Sequence, residues 1–298
     1  MIRELNDFSR IRAAVDLETM REAHVVCVGT GGAYSLLEGL CRSGIGKLTL
    51  IDPDHVEEAN VVRQGFALAD IGRPKVDALV DHLRGLNGGT RVNGIPRRLQ
   101  DIGASDLDKL FSDVKLLIGV TDSFPAQAYA NILALRHRVP ALWGGFYDRS
   151  RGGELFFSIP GITRTCFRCV LWQRYDAFEA EGEPVLSSSC NTIFHSMYLD
   201  AQLGFIALAI LNRYTLGLEF SNWFGQHWDY NFIQFKINPW LDAGEGNPFQ
   251  QVFAGAAGWS FNAVWHNTSL PGLLKDTCPD CGRTEALHVL AERMHNEP

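Results

Sequence analysis

The stretch HVVCVGTGGAYSLLEGLCRSG, followed by KLTLID, constrains the fold more than any other part of the chain. A short apolar run ends in glycine, a glycine-rich turn follows, and an amphipathic segment leads to a second apolar run. This is the pattern of a strand, a tight turn, a helix and a second buried strand, a βαβ unit of roughly thirty residues. Gly29, Gly31 and Gly32 fall in the turn, where the absence of a side chain lets backbone amides and a helix N-terminus approach phosphate. Asp52 closes the second strand, the usual place for an acid that binds ribose hydroxyls. A tight turn without ligand remains the alternative at this point.

Strand and helix patterns go on alternating. A helix is expected from near Pro74, strands in TRVNGIPRRL and VKLLIGVTD, a helix over 126–138 and a strand in VPALWGGF. Such alternation implies an α/β fold, Rossmann-like and doubly wound, with a mostly parallel sheet covered on both faces. Residues 1–20 read as a lead-in helix. After residue 150 the pattern changes: GGELFFSIPG reads as a strand outside the regular winding, and 172–190 as a mobile crossover loop. A long apolar helix then begins at NTIFHSMYLD. Residues 220–240 are dense in aromatics (Trp223, Phe224, Trp228, Tyr230, Phe232, Phe235), readable as a docking surface, as sheet packing or as a homodimer face. Residues 241–271 are an insertion or a packed extension, and the whole of 1–298 reads as one domain.

Composition narrows the function. Forty-six percent apolar residues can fill a substantial core, and the net charge of -7 argues against nucleic acid as a partner. The charged N-terminus and the lack of a long apolar run point away from a membrane and towards a cytoplasmic protein. Seven cysteines, four of them in two CxxC pairs, suggest metal rather than a disulfide framework.

Beyond Asp52 the chain departs from a dehydrogenase. DPDHVEEANVVRQGFALADIGRPK supplies Asp54, Asn60, Arg63, Gln64 and Lys75 close together, and Asp122 follows a later strand. Two cations and a second acid suit nucleotidyl transfer. Arg63 and Lys75 could neutralise a triphosphate and Asp122 could hold Mg²⁺.

The combination of GxGG, Asp-x-Asp-x-Val-x-x-x-Asn-x-x-Arg-Gln, Gly-x-x-Lys and Thr-Asp after an apolar strand resembles the ThiF/MoeB/HesA superfamily of ubiquitin-activating (E1)-like adenylyltransferases. The resemblance covers 8–215 and returns at 278–282. It implies that Asp52, Asn60, Arg63, Lys75 and Asp122 bind ATP and Mg²⁺, with Gly29, Gly31, Gly32, Ser35, Asp54 and Gln64 around them. Tyr34 departs from the family, which usually has glycine there, while Ser35 is retained. DFSR at 7–10 is similar to an N-terminal element of the family, making Arg10 the counterpart of an arginine delivered into the partner subunit of a homodimer. Cys166, Cys169, Cys278 and Cys281 match the family's structural Zn²⁺ site, and four thiolates form a closed tetrahedral set. A redox CxxC is the rival reading.

Cys190 precedes the long helix, and a thiolate at a helix N-terminus is a competent nucleophile. Stand-alone eukaryotic activating enzymes of the superfamily carry their thioester-forming cysteine at this distance from the second CxxC cysteine, although a structural role is open. Cys27 and Cys41 read as core. The implied activity is ATP-dependent adenylation of the C-terminal glycine of a ubiquitin-like protein, then a thioester on Cys190 for a conjugating enzyme. The setting implied is a bacterial conjugation pathway of the kind found in antiviral operons. Sulfur-carrier activation without a thioester, adenylation of a peptide or tRNA base, and an NAD-binding or regulatory zinc protein are the alternatives.

Overall fold

The computed structural model describes residues 7–182, 190–238, 262–269 and 277–282. Strand β1 (His24–Val28) is buried along its whole length and pairs in parallel with β2 (Lys47–Ile51) on one side and β4 (Leu116–Gly119) on the other. Beyond them lie β3 (Arg91–Ile95) and β5 (Ala141–Phe146), also parallel. The next strands reverse: β6 (Gly152–Ser158), β7 (Phe232–Lys236) and β8 (Asn262–His266) run antiparallel to their neighbours. The order is β3-β2-β1-β4-β5-β6-β7-β8. The central strands bury both faces, which explains their nearly unbroken apolar runs.

Alternate residues serve two cores. Val25, Cys27, Leu48, Leu50, Leu155 and Phe235 face α2 (Tyr34–Arg42), α4 (Lys75–Leu86) and α9 (Ile193–Asn212). Val26, Val28, Ile51, Trp143 and Phe156 face α5 (Ala104–Phe111), α6 (Phe124–His137), α7 (Phe167–Val170) and α8 (Trp172–Glu181). The sequence winds outward from β1 to β3 and then restarts at β4 on the other side. The C-terminal ends of β1 and β4 therefore flank a topological switch point, where open α/β sheets bind ligands.

Two expectations need correction, and a third, left open, gains a strand. Among the described residues the lead-in helix is only α1 (Leu17–Glu22), and 1–6 lie outside them: residues 8–15 form turns, and the Asp16 amide leaves the helical pattern to bond Asn212 Oδ1 at 2.7 Å. The expected crossover loop is helical over its first part as α8, because Tyr175 packs against Phe124 and Arg174 pairs with Glu154 at 2.7 Å. Residues 183–189 lie outside the described residues. Part of the 241–271 stretch is β8, a strand of the main sheet, while 239–261 and 270–276 are likewise outside the description. Helix α9 is long and apolar enough to cross a membrane by composition, but it packs on α2 and places Ser196, Asp200 and Asn212 in the interior. We read it as a core helix.

Candidate nucleotide site and cysteine cluster

The turn after β1 is shaped by close approaches. Gly29 has φ +83°, and a Cβ there would lie 2.6 Å from the Thr121 backbone nitrogen. A Cβ on Gly31 would lie 2.7 Å from Gln64 Nε2, whereas the Cβ position of Gly32 is open. The turn is thus clamped on two sides and open on the third. Asp52 is buried beneath it: Oδ2 accepts from Thr30 N at 2.7 Å and from Thr30 Oγ1 at 2.9 Å, and Oδ1 accepts from Asp54 N at 3.0 Å. The carboxylate fixes the glycine turn to the end of β2.

Lys75, at the first turn of α4, is largely buried and donates from Nζ to Asp54 Oδ2 at 2.9 Å. A largely buried ammonium whose carboxylate partner Asp54 is exposed, and is itself tied through its amide to Asp52 beneath the glycine turn, is available to a phosphate once that partner swings out. Gln64 Oε1 is buried beside Gly31 with no hydrogen-bond partner among the described residues. An orphaned buried acceptor of this kind calls for a donor, and a nucleotide over the turn would bring polar hydrogens to it.

Asn60 turns inward instead: its Oδ1 accepts from Glu57 N at 2.9 Å and caps α3 (Glu58–Val61). Its position stiffens the segment that carries Arg63. Arg63 is partly exposed, and Ser196 Oγ of α9 bonds its carbonyl at 3.4 Å. Asp122 is exposed just past β4, next to Thr121, which Gly29 touches. Tyr34 points away from the turn. Its ring lies against Gly65, where a Cβ would meet it at 2.2 Å, and packs on Phe66 and His82 with centroids 5.6 and 4.9 Å away. Burial raises its phenol to about 12. The departure from the third glycine is therefore accommodated by a glycine elsewhere.

Gly29, Gly31, Gly32, Asp52, Asp54, Gln64 and Lys75 converge in this way. Arg10 does not join them. It is exposed in a turn whose Phe8 touches Gly44, past the C-terminal end of α2, whereas the glycine turn is at the N-terminal end.

Cys190 is exposed, with φ +74°. It stands outside α9 rather than in its first turn, because Thr192 is the N-cap and shares its hydroxyl with His195 Nδ1 at 2.8 Å. A cleft of about 550 Å³ lined by Arg149, Ser150, Arg151, Cys190, His195 and Ile237 opens here. Burial holds the His195 imidazole below its ordinary range, so it stays neutral. Arg149 and Ser150 are both left-handed, at φ 59° and 53°, and consecutive non-glycine residues in that region are a strained arrangement typical of functional loops. The sequence reading assigned His195 nothing and did not single out Thr30, Arg149, Arg151 or Asp200. Thr30, between two glycines of the turn, and Asp200, a lone acid in an apolar helix, carried a visible signal.

The four cysteines of the CxxC pairs come together although more than a hundred residues separate the pairs. Their sulfurs lie within 4.8 Å of one another, with edges of 3.7 Å (Cys166–Cys169), 3.7 Å (Cys166–Cys278) and 3.6 Å (Cys169–Cys281). A tetrahedron with Zn–S bonds of about 2.3 Å has edges of about 3.75 Å, so the donors fit Zn²⁺. Asp280 accepts from Asn131 Nδ2 at 2.8 Å and pairs with Arg168 at 3.2 Å, and Asn131 Oδ1 accepts from Phe167 N. These bonds fasten the cluster to α6.

The ThiF family matches residues 2–245. The chain belongs to the ThiF family. Among relatives of this ThiF-family chain, the sulfur carrier protein ThiS adenylyltransferase of Bacillus subtilis is 29% identical over 177 residues, 58% of this chain and 48% of that protein. The ubiquitin-like modifier-activating enzyme 5 of Drosophila willistoni is 30% identical over 262 residues, 80% of this chain and 63% of that protein. The chain spans less than two thirds of either relative. The crystal structure of E. coli MccB with ATP superposes with a TM-score of 0.62 at 18% identity, covering 89% of this chain and 68% of that one. That likeness supports the fold.

Proposed function

We propose that this ThiF-family chain adenylates the C-terminal glycine of a ubiquitin-like or sulfur-carrier protein. The observation that carries the reading is the clamped glycine turn at the switch point, with Asp52 beneath it, Lys75 beside it and an orphaned Gln64 oxygen facing it. The substrate carboxylate attacks the α-phosphorus of ATP, the bond to the bridging oxygen breaks, and pyrophosphate leaves with that oxygen's electron pair. An acyl adenylate remains. Lys75 and Arg63 offset the charge on the phosphates, and Asp52 keeps the turn and ribose end in place. Asp122 would hold Mg²⁺, which would supply further neutralisation of the triphosphate.

The finer reading adds thioester capture. Cys190 loses its thiol proton to water and its sulfur attacks the acyl carbon, the bond from that carbon to the phosphate oxygen breaks, AMP leaves with the electron pair, and the acyl group awaits a conjugating enzyme. The cleft around Cys190, with a neutral His195 and the guanidinium groups of Arg149 and Arg151, supports this step. Use of Arg10 in trans requires self-association, and two observations support both: α9 carries exposed Phe194, Met197 and Phe205, suited to a second copy, and Arg10 is remote from its own chain's turn. A cytoplasmic setting and a bacterial conjugation pathway belong to the same reading. Sulfur-carrier activation is the second reading, favoured by the name of the Bacillus relative; it shares the adenylation step and lacks the thioester.

ATP–pyrophosphate exchange with candidate carrier proteins tests the first step. Lys75→Ala is expected to lower exchange by about 100-fold or more, as for a lost electrostatic contact to a transition state. Retention of full exchange by Lys75→Ala would overturn its assignment. Intact mass without reductant tests the second step: a thiol-labile adduct absent in Cys190→Ala supports capture, and exchange without any adduct favours sulfur-carrier activation.

A further inference from the structure

Helix α9 is apolar almost throughout, and one carboxylate interrupts it. Asp200 is 2% exposed and faces the first turn of α2. Its Oδ2 accepts from Leu36 N at 3.1 Å, the Ser35 amide faces it closely enough to favour the charged form, and Oδ1 is buried with no partner among the described residues. The amides of Tyr34, Ser35 and Leu36 are the ones that the start of α2 leaves unpaired within the helix. A phosphate over the glycine turn would draw on the same amides and on the same positive pole. One of the three is already engaged by the protein's own acid, and a second faces it.

The same helix reaches a second part of the site. One turn before Asp200, Ser196 bonds the carbonyl of Arg63, and His195 of the Cys190 cleft precedes it. Helix α9 therefore touches the phosphate turn, the cation segment and the cysteine cleft together. We propose that Asp200 is a positioning residue for the nucleotide: as a neutral carboxyl group it holds α2 and the glycine turn in register with α9, and on ionising it competes with the bound phosphates for the N-terminal pole of α2.

The chemistry of the pocket supports a neutral acid at ordinary pH. Burial raises Asp200 to about 8, and only the Leu36 and Ser35 amides oppose the rise. The titratable groups facing this corner are Cys27 of β1, which burial, with the charge of Asp52, keeps as a thiol, and Asp52 itself beyond Thr30. From α2 the partners are amides. A charge formed here would therefore lie unneutralised within a helical turn of the phosphates.

The inference rests on the ATP reading. Calorimetric binding of α,β-methylene-ATP with Mg²⁺ at about pH 7 and about pH 9 tests it in the wild type, Asp200→Asn and Asp200→Ala. The wild type is expected to weaken about tenfold across this range, the ratio for Asp200→Asn to stay near one, and Asp200→Ala to bind about tenfold more weakly than Asp200→Asn at the lower pH. Parallel weakening of the wild type and Asp200→Asn would overturn the proposal, as would tight binding by Asp200→Ala. Near-UV circular dichroism verifies folding, and if Asp200→Ala fails to fold, the two pH ratios decide alone. A wild type that binds no analogue at either pH would sink the ATP reading together with this inference; binding with matching pH profiles would sink the inference only.

Discussion

The parallel half of the sheet, β1 to β5, and the antiparallel half, β6 to β8, are built by different means. In the parallel half β1 to β4 are each followed by a covering helix, and the nucleotide crevice arises from turns a few residues long. In the antiparallel half the partners are remote: β6 pairs with β7 across the whole of α7, α8 and α9, and Cys166 and Cys169 meet Cys278 and Cys281. Local sequence specifies the first half, whereas the second needs long-range fasteners. The cysteine cluster is one, and the group of Tyr147, Arg174 and Gln234, half-buried around a buried Glu154, is another: Tyr147 donates to Glu154 at 2.5 Å and Gln234 to Tyr147 at 2.8 Å.

The largest effect expected from this contrast is removal of the metal ion that the cysteine cluster would hold, Zn²⁺ by its fit. Structural Zn²⁺ contributes about 10–16 kcal/mol in isolated zinc-finger peptides, so a strong chelator or Cys278→Ser should cost at least several kcal/mol here. The loss should be unequal. Amide hydrogen exchange is expected to quicken first in α7 and in β6 to β8, with β1, β2 and β4 protected longer. Equal deprotection of both halves would show that the two form one cooperative unit and would break the comparison.

A pair of glycines gives the next effect. Gly29 and Gly161 have nearly the same backbone, φ +83° and +79°, but a Cβ on Gly29 would collide with Thr121 while nothing lies within 4 Å of one on Gly161. Gly161→Ala should cost only the left-handed conformation, about 1 kcal/mol. Gly29→Ala adds displacement of the β4 end, and about 1–3 kcal/mol beyond Gly161→Ala is expected, with loss of nucleotide binding. Urea denaturation of both variants checks the order. Equal midpoints would mean that the turn yields freely and that the clamp on Gly29 is not a constraint.

The same division explains what was legible in the sequence. The strand–turn–helix at 24–42, Asp52, Lys75 and the two CxxC pairs were readable because each is a local pattern with a chemical reason. The early helix failed because Asn212, remote in sequence, draws off the Asp16 amide. Helix α8 was hidden by its polar surface, since Tyr175 and Arg174 find partners on α6 and β6. β8 sits in a glycine- and asparagine-rich stretch, where only its pairing with β7 makes it a strand. Asp200 shows its meaning only once α9 is laid across α2. Arg10, read as an arginine delivered into a partner subunit's site, lies away from its own chain's turn, as that reading requires.

The smallest effect concerns pH and sharpens the comparison through one histidine in each half. His24 of β1 is buried, with Nδ1 2.7 Å from Asp113 Oδ1 and Nε2 2.9 Å from Thr49 Oγ1. The neutral ring satisfies both contacts, donating to Asp113 and accepting from the Thr49 hydroxyl. Burial lowers its proton affinity more than Asp113 raises it, and burial likewise lowers that of His266 in β8, whose Nε2 lies 3.1 Å from Gln234 Oε1. Below about pH 6.5 the unfolded chain takes up protons that the native histidines resist, so stability present above that value is lost as the pH falls towards the native titration. His24→Gln and His266→Gln should each flatten the fall in urea midpoint between about pH 7 and about pH 5.5, with His195 contributing equally to every variant. If the halves are separately fastened, His24→Gln protects β1 and β2 from acid-induced exchange and His266→Gln protects β7 and β8. A common response of all four strands to either change would instead mean that protonation at one edge is felt across the whole sheet.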